Sequence, residues 1–136
     1  MKRILWIIVT VMILMSILTS CGGKVDGVKR IIGQSDFFTP EEIDDAMDTV
    51  SFFFYWDFRG CTLTELAYDE GYSLKGSASW AARYGEEEAI VLLSRFLVDE
   101  SGGDGSLMPN STYEGYQWIL TRSRGWRWVL RCWGYA

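Results

Sequence analysis

The chain has 136 residues, 49% of them apolar and 15% aromatic, with a formal charge of −5 and no histidine. That length holds one small domain and a leader, and large rings are an efficient way to fill a core of this size. The missing histidine excludes Ser-His-Asp and Cys-His catalysis and removes the commonest metal ligand.

Lys2 and Arg3 precede an almost unbroken apolar run, Ile4 to Leu18, which ends in the small residues Thr19 and Ser20. A positive start, an apolar middle and a small-residue end are the layout of a secretory signal. The run is fifteen residues long, short of the about 17–25 that a spanning helix needs. Leu18-Thr19-Ser20-Cys21 resembles the lipobox of bacterial lipoproteins. The resemblance implies that the Cys21 thiol receives a diacylglyceryl group and that cleavage makes Cys21 the new N-terminus. Two acyl chains anchor stably where one binds marginally. The alternative is an uncleaved membrane helix extended through Cys21. Lipidation divides the chain into a signal peptide (1–20), a flexible tether (21–36) that starts at Gly22 and Gly23, and a domain (37–136). The domain is then held by membrane lipid on the extracytoplasmic face of the cell membrane. Without Lys2 and Arg3, eleven Lys and Arg stand against eighteen Asp and Glu, a formal charge of −7.

Phe38 to Ile43 (FTPEEI) predicts a helix start. Thr39 is the N-cap, Pro40 suits the first helical position, and Glu42 completes a capping box. Phe38 and Ile43 occupy the positions of a hydrophobic staple. Ile43, Ala46, Met47, Val50 and Phe54 follow at helical spacing, and Gly60 is the expected stop. Asp44, Asp45 and Asp48 fall mostly off that stripe and read as a solvated face or as a site for a cation or partner. Phe52 to Trp56 is aromatic all round, which calls for a sheet wrapped on the helix or a pocket beside it.

Cys61 to Glu70 predicts a strand with an irregularity at Thr64-Glu65. Ser77 to Tyr84 predicts a short helix that Gly85 ends. Ala89 to Val98 is apolar on both faces in its first half, as in the centre of a sheet. Ser101 to Glu114 reads as a loop. Tyr116 to Arg122 and Trp126 to Trp133 predict a hairpin with a turn at 123–125. Trp126, Trp128, Leu130 and Cys132 are expected on one face of the last strand, and Arg127, Val129, Arg131 and Trp133 on the other.

This order predicts an α+β fold: a long N-terminal helix packed as one layer on a curved antiparallel sheet of about four strands, plus one short helix. Over residues 37–136 the order resembles the nuclear transport factor 2-like and cystatin-like folds. The phrases GCTLTELAYDE, GGDGSLMPNSTY, YQWIL and WGY resemble a family of short lipoproteins from Gram-positive bacteria. No function is assigned to that family, so the likeness implies architecture and location and no chemistry. In the related folds the first and last strands can be neighbours, which implies a candidate disulfide between Cys61 and Cys132. Two buried thiols are the other reading.

No cofactor, metal or catalytic set is expected. Glu100 to Ser106 (ESGGDGS) fails the calcium-loop pattern, with Gly102 and Ser111 where ligands belong. An enzyme of the ketosteroid-isomerase type would have to recruit Asp57, Asp69, Tyr55 or Tyr68. From residue 115 onward there are four arginines and no acid, whereas residues 36–114 hold 17 acids and four bases. Arg122, Arg124, Arg127 and Arg131, with Trp118, Trp126 and Trp128, form a candidate basic and aromatic surface. It suits phosphate headgroups or an anionic wall polymer, and nucleic acid is not expected as a partner. Alternatively these arginines pair within the molecule and stack on tryptophans. The function expected is binding of a small ligand or an envelope protein. The alternatives are the small enzyme above and a structural or regulatory component of the cell envelope.

Overall fold

The computed structural model describes residues 1–17 and 22–135. Cys21, and with it the expected lipidation, lies outside the described residues. The elements are α1 (Lys2–Ile17), β1 (Lys29–Ile31), α2 (Pro40–Asp57), β2 (Cys61–Ala67), α3 (Glu70–Tyr84), β3 (Glu88–Val98), β4 (Thr112–Arg122) and β5 (Val129–Gly134). Among the described residues no helix is long and apolar enough to cross a membrane.

The fold is α+β, with a correction to the sheet. It has five strands in the order β1-β2-β3-β4-β5, and β1 runs parallel to β2 while the other pairs are antiparallel. The domain therefore opens on a strand, and α2 comes second. The stretch expected to be a free tether lies along β2. Gly23 N–H donates to the Tyr55 carbonyl at 2.8 Å, Lys24 N–H to the Cys61 carbonyl at 2.9 Å, and Leu63 N–H to the Lys24 carbonyl at 2.9 Å. The two glycines that read as slack serve a close approach. A Cβ on Gly22 would stand 2.5 Å from the Tyr55 carbonyl oxygen, and one on Gly23 2.5 Å from that of Phe54. Charge fastens β1 to the helix: Arg30 reaches Asp44 at 2.6 Å and Asp48 at 2.8 Å. Two acids of the expected solvated face are thus paired.

Local signals account for α2. The Thr39 hydroxyl accepts from Glu42 N–H at 3.2 Å, and the Glu42 carboxylate accepts from Thr39 N–H at 2.8 Å. The buried residues of the helix are Ile43, Ala46, Met47, Val50 and Phe54, the stripe read from the sequence. They meet Leu63, Leu66, Ile90, Leu92, Phe96, Trp118 and Leu120 of the sheet in the main core. Phe38 packs edge-on to Trp128 and Tyr68, with centroids 5.5 and 6.2 Å away.

A second helical layer was not expected. α3 starts seven residues before Ser77, capped by Asp69, whose carboxylate accepts from Tyr72 N–H at 2.7 Å. Gly71, Ser73 and Gly76 are poor helix formers, so propensity hides this start. The buried Ser73 hydroxyl accepts from Val91 N–H at 3.0 Å, at the β3 edge left free beyond the last β2 pair, Ala67 with Leu93. From there α3 crosses to β5, where the Arg131 guanidinium lies 5.1 Å from the Tyr84 ring centre. By strand alternation Ala89, Val91 and Ile119 face this side, away from α2. Gly85 takes the left-handed conformation (φ 65°) and ends the helix.

Register shifts mark all three antiparallel pairings. The one between β2 and β3 falls at Leu63/Glu65, where the sequence pattern breaks. The one at β5 matters most. Ile119 pairs with Cys132 but Leu120 with Leu130, so Arg131 is an extra residue. The expected alternation fails there. Trp133 turns to the α2 side, while Arg131 and Cys132 both face α3.

Candidate functional site

The C-terminal end of α2 leaves part of the sheet uncovered. The gap is a cleft of about 430 Å³, walled by Phe53 and Phe58 on one side and Tyr116 and Trp133 on the other. Such a volume suits a small ligand. The rings are locked to one another. Phe53 lies 4.4 Å from Trp133, Phe58 5.3 Å from Trp118, and Tyr116 5.5 Å from Trp118, centre to centre. Trp118 is fully buried behind them and donates its indole N–H to Ser94 Oγ at 2.7 Å. Aromatic contacts of this kind add to the stability given by burial alone.

The rim is acidic. Asp57 ends α2, whose last turn contains no basic residue, so its carboxylate sits at the negative end of the helix dipole. Across the cleft lies Asp104. The Ser106 hydroxyl and then its backbone N–H hold the Asp104 carboxyl below its ordinary range. Burial raises the Tyr116 phenol above its ordinary value, so it stays a neutral donor. Two carboxylates, a helix C-terminus and four π faces make a site for a cationic or flat apolar group. Among the described residues no three His, Cys, Asp or Glu side chains converge on a metal position.

The expected basic plate is not one surface. Arg122 is 6% exposed. Its Nη2 donates to Glu42 at 2.6 Å and its Nε to Glu88 at 2.7 Å, and its guanidinium lies 4.1 Å from the Trp128 ring centre. Arg131 donates to Thr121 Oγ1 at 2.8 Å and to Glu86 at 3.2 Å. Trp118 is in the core, and Trp128 is buried with its N–H on the Glu42 carbonyl. Only Arg124, Arg127 and Trp126, between β4 and β5, stay exposed. The intramolecular reading therefore describes Arg122 and Arg131.

Both cysteines are unbonded, and the fold shows why. Cys61 and Cys132 stand on β2 and β5, three strand spacings apart, or roughly 14 Å. They also face opposite sides of the sheet, beyond the reach of a disulfide. Burial, then Asp99 and Asp104, push the Cys61 thiol up to about 11. The condition for a carboxylate base buried in a cone is not met by Asp57 or Asp69. Both are exposed, and Asp69 is spent on the α3 cap.

The sequence pointed to Asp57 and to an aromatic excess at Phe52–Trp56 that called for a pocket. It did not point to Phe58, Asp104, Tyr116 or Trp133 as lining residues. These come from four separate segments, and the β5 bulge alone turns Trp133 inward. Comparison with protein-family models, curated proteins and solved structures finds no match for this chain.

Proposed function

We propose that this chain is a lipid-anchored binding module on the extracytoplasmic face of the cell membrane, with Cys21 carrying the lipid. Its aromatic cleft takes a small organic cation or a cationic side chain of an envelope protein. The observation that carries the binding reading is the cleft itself, an open gap beside a well-packed core, with four rings for walls and two carboxylates at its rim. The leader and the lipobox-like Leu18–Cys21 support the location. The helix-on-sheet arrangement of α2 supports the likeness to nuclear transport factor 2-like domains. Titration with choline and spermidine, followed by tryptophan fluorescence, tests the cleft. Saturable quenching that Trp133→Ala removes and that Asp57→Asn with Asp104→Asn weakens is expected. A flat titration, together with no bound mass in native spectra of protein extracted from its own membranes, would refute the reading. The anchor is tested separately: Cys21→Ser should abolish lipid labelling and leave the precursor uncleaved.

A further inference from the structure

The outer face of α2 carries a second group of rings, which packs on nothing. Phe52 is 70% exposed, Trp56 63% and Tyr55 44%. Tyr55 and Phe52 lie 5.1 and 6.4 Å from Trp56, centre to centre, so the three form one patch. An exposed ring cluster on a small domain marks a contact surface.

The chain entry identifies the occupant. Gly23 N–H is bonded to the Tyr55 carbonyl, and Gly22 is pressed so close to it that neither glycine accepts a side chain. Residue 21 is one peptide step before Gly22, about 3.8 Å between Cα atoms. If Cys21 carries the lipid, the last turn of α2 lies on the order of 10 Å from the headgroups, because no free tether separates them. Lys24, exposed beside Tyr55, and Arg59 flank the same side. Rings with a polar edge and long cationic side chains are the residues found at a membrane interface. Asp26 and Asp99 share this side, and the mature chain is acidic, so the contact is aromatic more than ionic.

We propose that Phe52, Tyr55 and Trp56 seat in the headgroup layer of the bilayer to which the chain is anchored. The domain then lies on the membrane with α2 facing it. This rests on the lipid anchor at Cys21, so the test starts from protein whose lipidated mass has been verified. That protein is reconstituted in neutral phosphatidylcholine vesicles containing lipids brominated near the headgroup. Bromolipid quenching of tryptophan is expected, with the quenched component lost in Trp56→Phe and kept in Trp126→Phe. Raising the salt should leave it unchanged. Verified lipidation with no quenching of Trp56, and free access of acrylamide to it, overturns the docking and leaves the anchor standing. Absence of lipid on Cys21 overturns both. Shielding of Trp56 that survives in detergent, in a species of twice the monomer mass, assigns the face to a second copy and also overturns the proposal.

Discussion

Arg122→Met separates the stranding of charge from the loss of packing. The guanidinium is buried between Glu42 and Glu88, whose side chains are 34% and 19% exposed. Methionine keeps much of the stem that lies against Trp128, so what disappears is the cation. Two carboxylates from α2 and β3 are then left facing each other without it. Breaking a buried pair costs about 3–5 kcal/mol. The partial exposure of Glu42 puts the expectation near the lower end, about 3 kcal/mol. For a domain near 100 residues that lowers Tm by roughly 12 °C or more. Urea unfolding followed by tryptophan emission measures it. The triple variant Glu42→Gln, Glu88→Gln, Arg122→Met should recover most of the loss, since an uncharged cluster of similar volume strands nothing and Gln still serves the capping box. A loss under about 1 kcal/mol in Arg122→Met would show that the pair behaves like a surface salt bridge. A triple variant as unstable as the single one would place the cost in packing and refute the charge argument.

Three further outcomes follow from the geometry. The Thr39 N–H, then Arg122, hold the Glu42 carboxyl below its ordinary 4.5. A depressed carboxyl stabilises the fold above its ordinary value, so stability should fall as pH drops below about 4.5, and Glu42→Gln should flatten that limb in urea titrations. Thiol reagents at pH 8 should label Cys132 in the native domain and spare Cys61 until denaturant is added, because the Cys61 thiol is buried and raised to about 11. Faster labelling of Cys61, or a mass lower by the two hydrogens of an oxidised pair, would contradict the sheet order. Gly23→Ala should destabilise by about 1–3 kcal/mol, since its Cβ would meet the Phe54 carbonyl at 2.5 Å and the ring at 2.8 Å. Gly27→Ala, with no atom within 4 Å, is the control and should be neutral.

What the sequence made legible is what is encoded locally. The capping box, Pro40 and five apolar positions lie within sixteen residues and gave α2 and its buried face. The continuous apolar run gave β3 its central place. β1 was illegible because it is three residues long with alternating exposure, and its one inward side chain is an arginine. Its stability comes from Asp44 and Asp48 on α2 and from hydrogen bonds to β2, all remote in sequence. The glycines before it gave the wrong signal for a physical reason. Flexibility and close approach ask for the same residue, and only the backbone of Phe54 and Tyr55 tells them apart.

The charge segregation along the chain carries the same lesson for the site. Acids crowd residues 36–114 and arginines follow from 122 onward, which read as an acidic body with a basic plate. Segregation in sequence became pairing in space. β4 and β5 bring Arg122 against Glu42, eighty residues earlier, and Arg131 against Glu86, forty-five residues earlier. Pairing consumes the central cations and buries their tryptophans. The surface left for binding is then what pairing did not use: the acidic rim at Asp57 and Asp104, and the unpartnered rings on both sides of the last turns of α2. Both lie at the end of the helix that is not capped by charge, which is why the cleft and the exposed aromatic face occur at the same pole of the domain.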